Sequence, residues 1–263
     1  MKFIPVRLAI VGALGRMGQR ITALADLNPR LQVVAGIEKP GSREIGHFIS
    51  NGKAPVVGDI NEVLLKTDVI IDFTAPESVL KTAVKVARRK KGLVIGTTGL
   101  GEAQIKKLKI LSRQIPIVFS PNMSGGVNLL FRLVEEAARA LAHYDIEIVE
   151  AHHNLKKDAP SGTALKLAEI AAEASGRSTK NFVYGRHGMT GTRNSKEIGI
   201  MSLRAGDIVG DHTVLLSSAG ERLELTHRAH SRDAFAAGAI EAALWIYKKR
   251  PGFYSMQDVL RKR

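Results

Sequence analysis

The sequence predicts an α/β chain: a doubly wound parallel sheet in the first half, then an α+β domain with an open mixed or antiparallel sheet. Three observations carry this. Short apolar runs alternate with helix-like stretches as far as residue 120. A glycine-rich loop, "VGALGRMG", joins the first run to the first helix. After Pro121 the patterning changes, and apolar residues begin to alternate with polar ones.

In chain order, RLAIVG (7–12), LQVVAGI (31–37), VIIDF (69–73), GLVIGT (92–97) and IPIVFS (115–120) are the apolar runs. A strand reads as a continuous run when helices cover both faces of its sheet. Helical spacing occupies 16–26, 77–90 and 101–112 between them. Strand and helix repeated in this way make a doubly wound sheet. An amphipathic helix is predicted at 127–142, and DIEIVEAHH (145–153) alternates as a half-exposed strand does. A helix follows from Ser161 to Ala174. The strands expected within 198–229 read as antiparallel. The last helix, which starts at Asp233, is expected to pack back on the first domain. The boundaries are set at 1–123, with the C-terminal helix 233–263 returning to it, and 124–232 for the second domain.

The 263 residues include no cysteine, which excludes disulfides, a thiolate nucleophile and cysteine-bound zinc. No run approaches the length of a membrane span, and the N-terminal apolar run lacks a signal-peptide cleavage pattern. A cytoplasmic location is expected, with no membrane partner. The formal charge is +14, but its basic clusters (88–91, 106–109, 248–250, 261–263) are scattered. Nucleic-acid binding needs a coherent basic stripe or aromatic platforms. Aromatics make up 5% of the chain and do not interleave with these clusters, so no nucleic-acid partner is expected.

The glycine loop is the first functional signal. Gly12, Gly15 and Gly18 sit where a strand ends and a helix begins. Glycines there permit a tight turn, and the helix N-terminus offers free N–H groups to a pyrophosphate. This is the Rossmann-type dinucleotide arrangement, with spacing G-x-x-G-x-x-G in place of the usual G-x-G-x-x-G. Glu38 ends the second strand, where an acid binds ribose hydroxyls. Lys39 beside it, or Arg16 in the loop, is placed to pair with a 2′-phosphate, so NADH and NADPH both remain open. Three further strand ends carry polar residues and glycine: DFT with Phe73, GTTG (96–99) and SPNMS (120–124). Ligands of open α/β sheets bind at such carboxyl ends.

The second signal is "EAHHNLKKDAPSGTA", 150–164. His152 and His153 are neighbours on a strand and point to opposite faces, so they do not chelate one metal, and none is expected. Lys156 and Lys157 follow, then Ser161, Gly162 and Thr163 open a helix. A proton donor, a fixed cation and a helix N-terminus that attracts anions describe reduction of an anionic substrate. Ser161 and Thr163 also suit a plain helix cap.

This run closely resembles the signature of the 4-hydroxy-tetrahydrodipicolinate reductase (dihydrodipicolinate reductase) family. VGALGRMG, IDFTAPE, VIGTTG, SPNMSGGVN, RAGDIVGDHTV and GERLELTHRA are similar to family segments in the same order. The resemblance implies hydride transfer from NADH or NADPH to a cyclic dicarboxylate imine, with loss of water, in lysine biosynthesis through diaminopimelate. It implies acid–base roles for His152 and Lys156, and substrate contacts at His153, Ser161, Gly162 and Thr163. It implies cofactor contacts at Gly12, Ala13, Gly15, Arg16, Met17, Glu38, Lys39, Phe73, Gly96, Thr97, Thr98, Ser120, Pro121, Asn122 and Met123. It also implies a homotetramer assembled through the second sheet. The alternatives are a related two-domain dehydrogenase of an amino-acid semialdehyde or sugar, or a nucleotide-sensing protein without turnover.

Overall fold

A computed structural model describes residues 4–261; residues 1–3, and Lys262 and Arg263 of the terminal basic cluster, lie outside it. The chain divides into two units. The first runs to Gly125 and resumes at Arg232, and the second is Gly126–Ser231.

The first unit contains β1 (Val6–Val11), α1 (Arg16–Asp26), β2 (Leu31–Ile37), the short β3 (Phe48–Ile49) and β4 (Ala54–Val57). It continues through β5 (Val69–Asp72), α2 (Pro76–Arg88), β6 (Gly92–Ile95), α3 (Glu102–Leu111) and β7 (Pro116–Phe119). After the second unit, α6 (Asp233–Ile246), β13 (Gly252–Tyr254) and α7 (Met256–Leu260) return to it. Its eight strands lie in the order β13-β7-β6-β5-β1-β2-β4-β3. All pairs are parallel except β3–β4. The alternate residues of β1 explain its unbroken apolar run. Leu8 and Ile10 pack with α1 and α6, while Ala9 and Val11 pack with α2 and α3. A strand buried on both faces favours apolar residues along its length, and the one charged residue of β1, Arg7, lies near its start and pairs with Asp68 at 2.7 Å.

The C-terminal segment differs from the single helix expected over 233–263. The helix stops at Ile246, and the chain adds β13 as a parallel strand beside β7. Lys248 takes a left-handed conformation (φ 65°), and Pro251 cannot donate to a helical ladder.

The second unit contains α4 (Gly125–Ala140), β8 (Asp145–His152), α5 (Gly162–Ala174), β9 (Phe182–Tyr184), β10 (Ile198–Arg204), β11 (Gly210–Ser218) and β12 (Glu221–Ala229). Its sheet order is β12-β11-β8-β10-β9. β11 pairs antiparallel with both β12 and β8. β10, however, runs parallel to β8 and to β9, which corrects the antiparallel reading of 198–204. Alternation reveals which face is buried, not which way a strand runs. Here α5 intervenes between β8 and the strands after it, and a helical connection allows parallel pairing. One face of this sheet packs Ile146, Ile148, Ile198, Ile200, Val214 and Leu216 against α4 and α5. Among the described residues, no helix is long and apolar enough to cross a membrane.

Candidate active site

In the first unit the parallel order brings the carboxyl ends of β2, β1, β5, β6 and β7 to one edge of the sheet. β1 lies between β2 and β5, so the chain leaves it in both directions, which opens a crevice at the strand ends. Gly12 turns there with φ 76°, and a Cβ on it would stand 2.9 Å from the Phe73 carbonyl oxygen. Only glycine satisfies both the angle and the approach. The helix that follows has no side-chain cap and no acid in its first turn, so its N–H groups remain available to an anion.

Glu38 is anchored by the Leu14 N–H, which donates to its Oε1 at 2.8 Å. Gly12, Gly15, Glu38, Lys39 and Phe73 line one cavity of about 560 Å³. An open anion-binding helix end, a carboxylate and a cation around one cavity suit a nicotinamide dinucleotide. The sequence reading missed the α2 wall, where Ser78, Lys81, Thr82 and Lys85 line the same cavity. Lys81 and Lys85 share that face at a spacing of four, but such a pair on a helix reads equally as ordinary solvated surface.

Several expected contacts are tied up inside the unit. Thr97 is buried. Its hydroxyl accepts from the Thr74 N–H at 2.9 Å and donates to the buried Asp72 at 3.2 Å. The Thr74 hydroxyl donates to the same carboxylate at 2.6 Å. Burial pushes Asp72 above the ordinary carboxylate range, against these hydrogen bonds. The Phe73 ring lies over Gly96, where a Cβ would meet it at 2.1 Å. Ser120 donates to the Asn122 carbonyl at 2.6 Å. Ala13 is buried, and Met123 is part of the apolar core. Ala13, Thr97, Ser120 and Met123 can therefore offer a ligand little beyond their backbone. Arg16, Thr98 and Pro121 are exposed, and Met17 and Asn122 are half-buried.

In the second unit the apolar face of the sheet turns polar at the end of β8. Ile146 and Ile148 give way to Glu150 and His152 on the same face, since alternate strand residues share a face. β10 places Arg204 beside His152, and β11 places His212 beside Glu150. The N-terminus of α5 closes the group. Glu150 is fully buried. It accepts from His152 Nδ1 at 2.6 Å, from both terminal Arg204 nitrogens at 2.9 Å, and from the Ser161 N–H at 3.1 Å. Burial alone would raise its pKa, but Arg204, His152 and Ser202 outweigh it and hold the carboxyl at about 2.

A carboxylate only accepts, so the Nδ1 of His152 carries the proton and its Nε2 holds the lone pair. Burial pushes the His152 pKa down. The bond to Glu150 opposes that shift, and the charges of Lys156 and Arg204 reinforce it. The balance favours the neutral imidazole over the charged ring. Lys156 donates to Asp158 at 2.8 and 2.9 Å, which fixes its ammonium. Its N–H also closes a turn onto the His153 carbonyl at 3.1 Å. His153 is half-buried one residue past β8.

Ser161 caps α5 by accepting from the Ala164 N–H at 3.2 Å, and its oxygen lies 3.0 Å from His212 Nε2. Its hydroxyl is thus used within the unit, which favours the cap over a substrate contact. Gly162 is open to solvent and Thr163 is half-buried. His212 packs edge-on against His152 with ring centres 5.2 Å apart. Burial lowers the His212 pKa to about 3, and a proton on His152 in acid adds to that. Sequence reasoning singled out neither Glu150, Arg204 nor His212.

Family models for the N-terminus and C-terminus of dihydrodipicolinate reductase match residues 6–123 and 126–260. The chain belongs to the dihydrodipicolinate reductase family. Its relatives include proteins named 4-hydroxy-tetrahydrodipicolinate reductase from Aquifex aeolicus and Syntrophus aciditrophicus. They are 50% and 46% identical, over 97% of this chain and 98% of each relative. A dipicolinate-bound dihydrodipicolinate reductase from Paenisporosarcina sp. TG-14 superposes with a TM-score of 0.79. It is 26% identical and covers 96% of this chain and 98% of its own. The C. glutamicum diaminopimelate dehydrogenase, 15% identical with a TM-score of 0.56, shares the fold.

Proposed function

We propose that this chain reduces 4-hydroxy-tetrahydrodipicolinate to tetrahydrodipicolinate, with loss of water, in the diaminopimelate route to lysine. The observation that carries the reading is the match of both halves of the chain to one reductase family. The buried Glu150–His152 pair in the second half gives that match a chemical centre.

The first unit holds the nicotinamide dinucleotide, which supplies the hydride when bound. The loop from Gly12 to Met17 and the first turn of α1 receive its pyrophosphate. Glu38 receives the adenosine ribose, and Lys39 a 2′-phosphate where there is one, so NADH and NADPH are both used. Phe73, the 96–98 strand end and the 120–123 segment border the nicotinamide half.

The second unit holds the cyclic dicarboxylate. The α5 N-terminus at Gly162 and Thr163 binds one carboxylate, with His153 and the Ser161 backbone beside it. The Lys156 ammonium adds the second positive contact. In the reaction the substrate hydroxyl leaves as water, hydride reaches the carbon that bore it, and a proton reaches the neighbouring carbon. Lys156 enters with a proton to give to the leaving hydroxyl. His152 enters neutral, so its Nε2 takes a proton from the neighbouring carbon and returns it after hydride transfer.

The chain acts as a cytoplasmic homotetramer. The second sheet supports this, because the face away from α4 and α5 carries Val149, Met201, Leu203 and Leu215, none of them buried. The test of function is an assay in which the substrate is generated enzymically in the cuvette. Consumption of NADH or NADPH only when that substrate is present supports the reading. Turnover with semialdehydes or polyols instead would replace it.

A further inference from the structure

We propose that Glu150 is the positioning residue of this site: a buried carboxylate that fixes the tautomer and ring plane of His152, its own charge balanced by Arg204. The proposal rests on the acid–base role given to His152 above.

A fully buried carboxylate carries a large desolvation cost unless donors surround it. Here donors converge from three elements far apart in sequence: His152 on β8 itself, Arg204 on β10 and the Ser161 N–H at the head of α5. A plain buried ion pair would need only Arg204. The imidazole is instead bonded at 2.6 Å through the nitrogen that faces the protein. With Nδ1 committed, a proton can be exchanged only at Nε2. Arg204 makes a fork of two bonds to the same carboxylate, so its positive charge offsets the negative one. The clamp therefore sets the orientation of the ring without holding a second proton on it, consistent with the lowered pKa of His152.

The opposite edge of the ring carries Nε2 and Cδ2. Gly210, at the start of β11, faces it. A Cβ there would stand 3.1 Å from His152 Nε2 and 3.5 Å from Cδ2. Its backbone is not in the left-handed region, so the requirement is for space and not for an unusual angle. One edge of the imidazole is locked by Glu150, and the other faces a glycine.

The test is Glu150→Gln, which keeps the shape but can donate to Nδ1 and so permits the other tautomer. Expected is a fall in kcat of about 100-fold or more, the scale on which a misoriented histidine acts. KM for the dicarboxylate should change less than about threefold. In the His152→Ala background the same substitution should cost nothing further, because Glu150 acts only through His152. A full additional loss there would overturn the proposal, and so would Glu150→Gln at normal turnover beside an inactive His152→Ala. His152→Ala at full turnover would instead remove the role of His152 itself, and the positioning with it. If Glu150→Gln does not fold, imidazole 15N shifts of the native protein decide. A protonated Nδ1 and a bare Nε2 on His152 support the clamp, and the reverse assignment overturns it.

Discussion

Each unit buries one strand-end carboxylate completely, Asp72 in the first and Glu150 in the second, and the two are shifted in opposite directions. Asp72 is met by neutral donors, the hydroxyls of Thr74 and Thr97 and a backbone N–H, and burial prevails. Glu150 is met by a guanidinium as well, and the charge prevails. The difference shows how the two sites are made. The proposed dinucleotide site is a matter of backbone: a glycine turn, a bare helix end and a strut of threonines that holds two strand ends together. The proposed dicarboxylate site is a matter of side chains whose charges are placed against one another.

The sharpest way to break this division is to damage each site and read both. Lys156→Ala should lower kcat by about 100-fold or more, the worth of a positioned acid, while dinucleotide affinity by calorimetry stays within twofold, roughly. Gly12→Ala should do the reverse. A side chain at φ 76°, forced to 2.9 Å from a carbonyl oxygen, costs at least about 1–2 kcal/mol, so dinucleotide affinity falls about tenfold or more. Binding of dipicolinate, a non-reacting dicarboxylate, should survive that change. If either lesion weakened both ligands equally, the division of labour would be wrong.

A smaller effect separates the two carboxylates by pH. Glu150 is lowered from 4.5 to about 2 and His212 from 6.5 to about 3. In both cases the unfolded chain binds a proton that the folded chain refuses, so stability rises with pH across those windows. The contribution of His212 is fully present above about pH 6.5 and is lost as pH falls toward 3. Asp72 has the opposite sign: its raised pKa favours the fold in acid and weakens it as pH rises. Melting temperature followed downward from pH 7 should fall, with His212 alone contributing up to about 1.4 kcal/mol per pH unit. His212→Gln keeps a partner for Ser161 without a titrating ring and should flatten the slope between pH 6 and 4, roughly. An unchanged slope would show that the buried imidazole takes up its proton without cost.

How much of this could be read in advance follows the same line. The glycine turn, Glu38 and the alternation of buried strands with helices are local patterns, and the sequence shows them as such; the order of the strands across the sheet is not local and comes only with the structure. In the second unit the stretch 150–164 was legible, yet its organising contacts were not. Glu150 and Arg204 are 54 residues apart, and Ser161 and His212 are 51 apart. Those pairs exist only once β10 lies parallel to β8 and β11 antiparallel to it, and alternation does not encode that choice. Ser161 carries both readings in the sequence, cap and substrate contact, because a hydroxyl at a helix start looks alike whether it faces a ligand or caps the helix; the bond from the Ala164 N–H shows the cap. β13 was lost inside an expected helix because three residues after a proline carry no periodicity.

The smallest effect concerns the choice between nucleotides, where the two sites meet a common question of charge. Lys39 and Lys81 are exposed cations on the wall of the dinucleotide cavity, while Lys85 is held by Asp59 at 2.8 Å. Glu38 in the same wall already has one oxygen on the Leu14 N–H. A 2′-phosphate entering here would meet Lys39 directly, but in a solvated setting where one such contact is worth about 1 kcal/mol. Lys39→Ala should therefore weaken NADPH by about fivefold and NADH by less than about twofold, measured as the ratio of the two KM values. The effect should shrink further as salt is raised. Equal weakening of both nucleotides would mean that Lys39 supports the shape of the cavity and leaves the phosphate to Arg16 or Lys81.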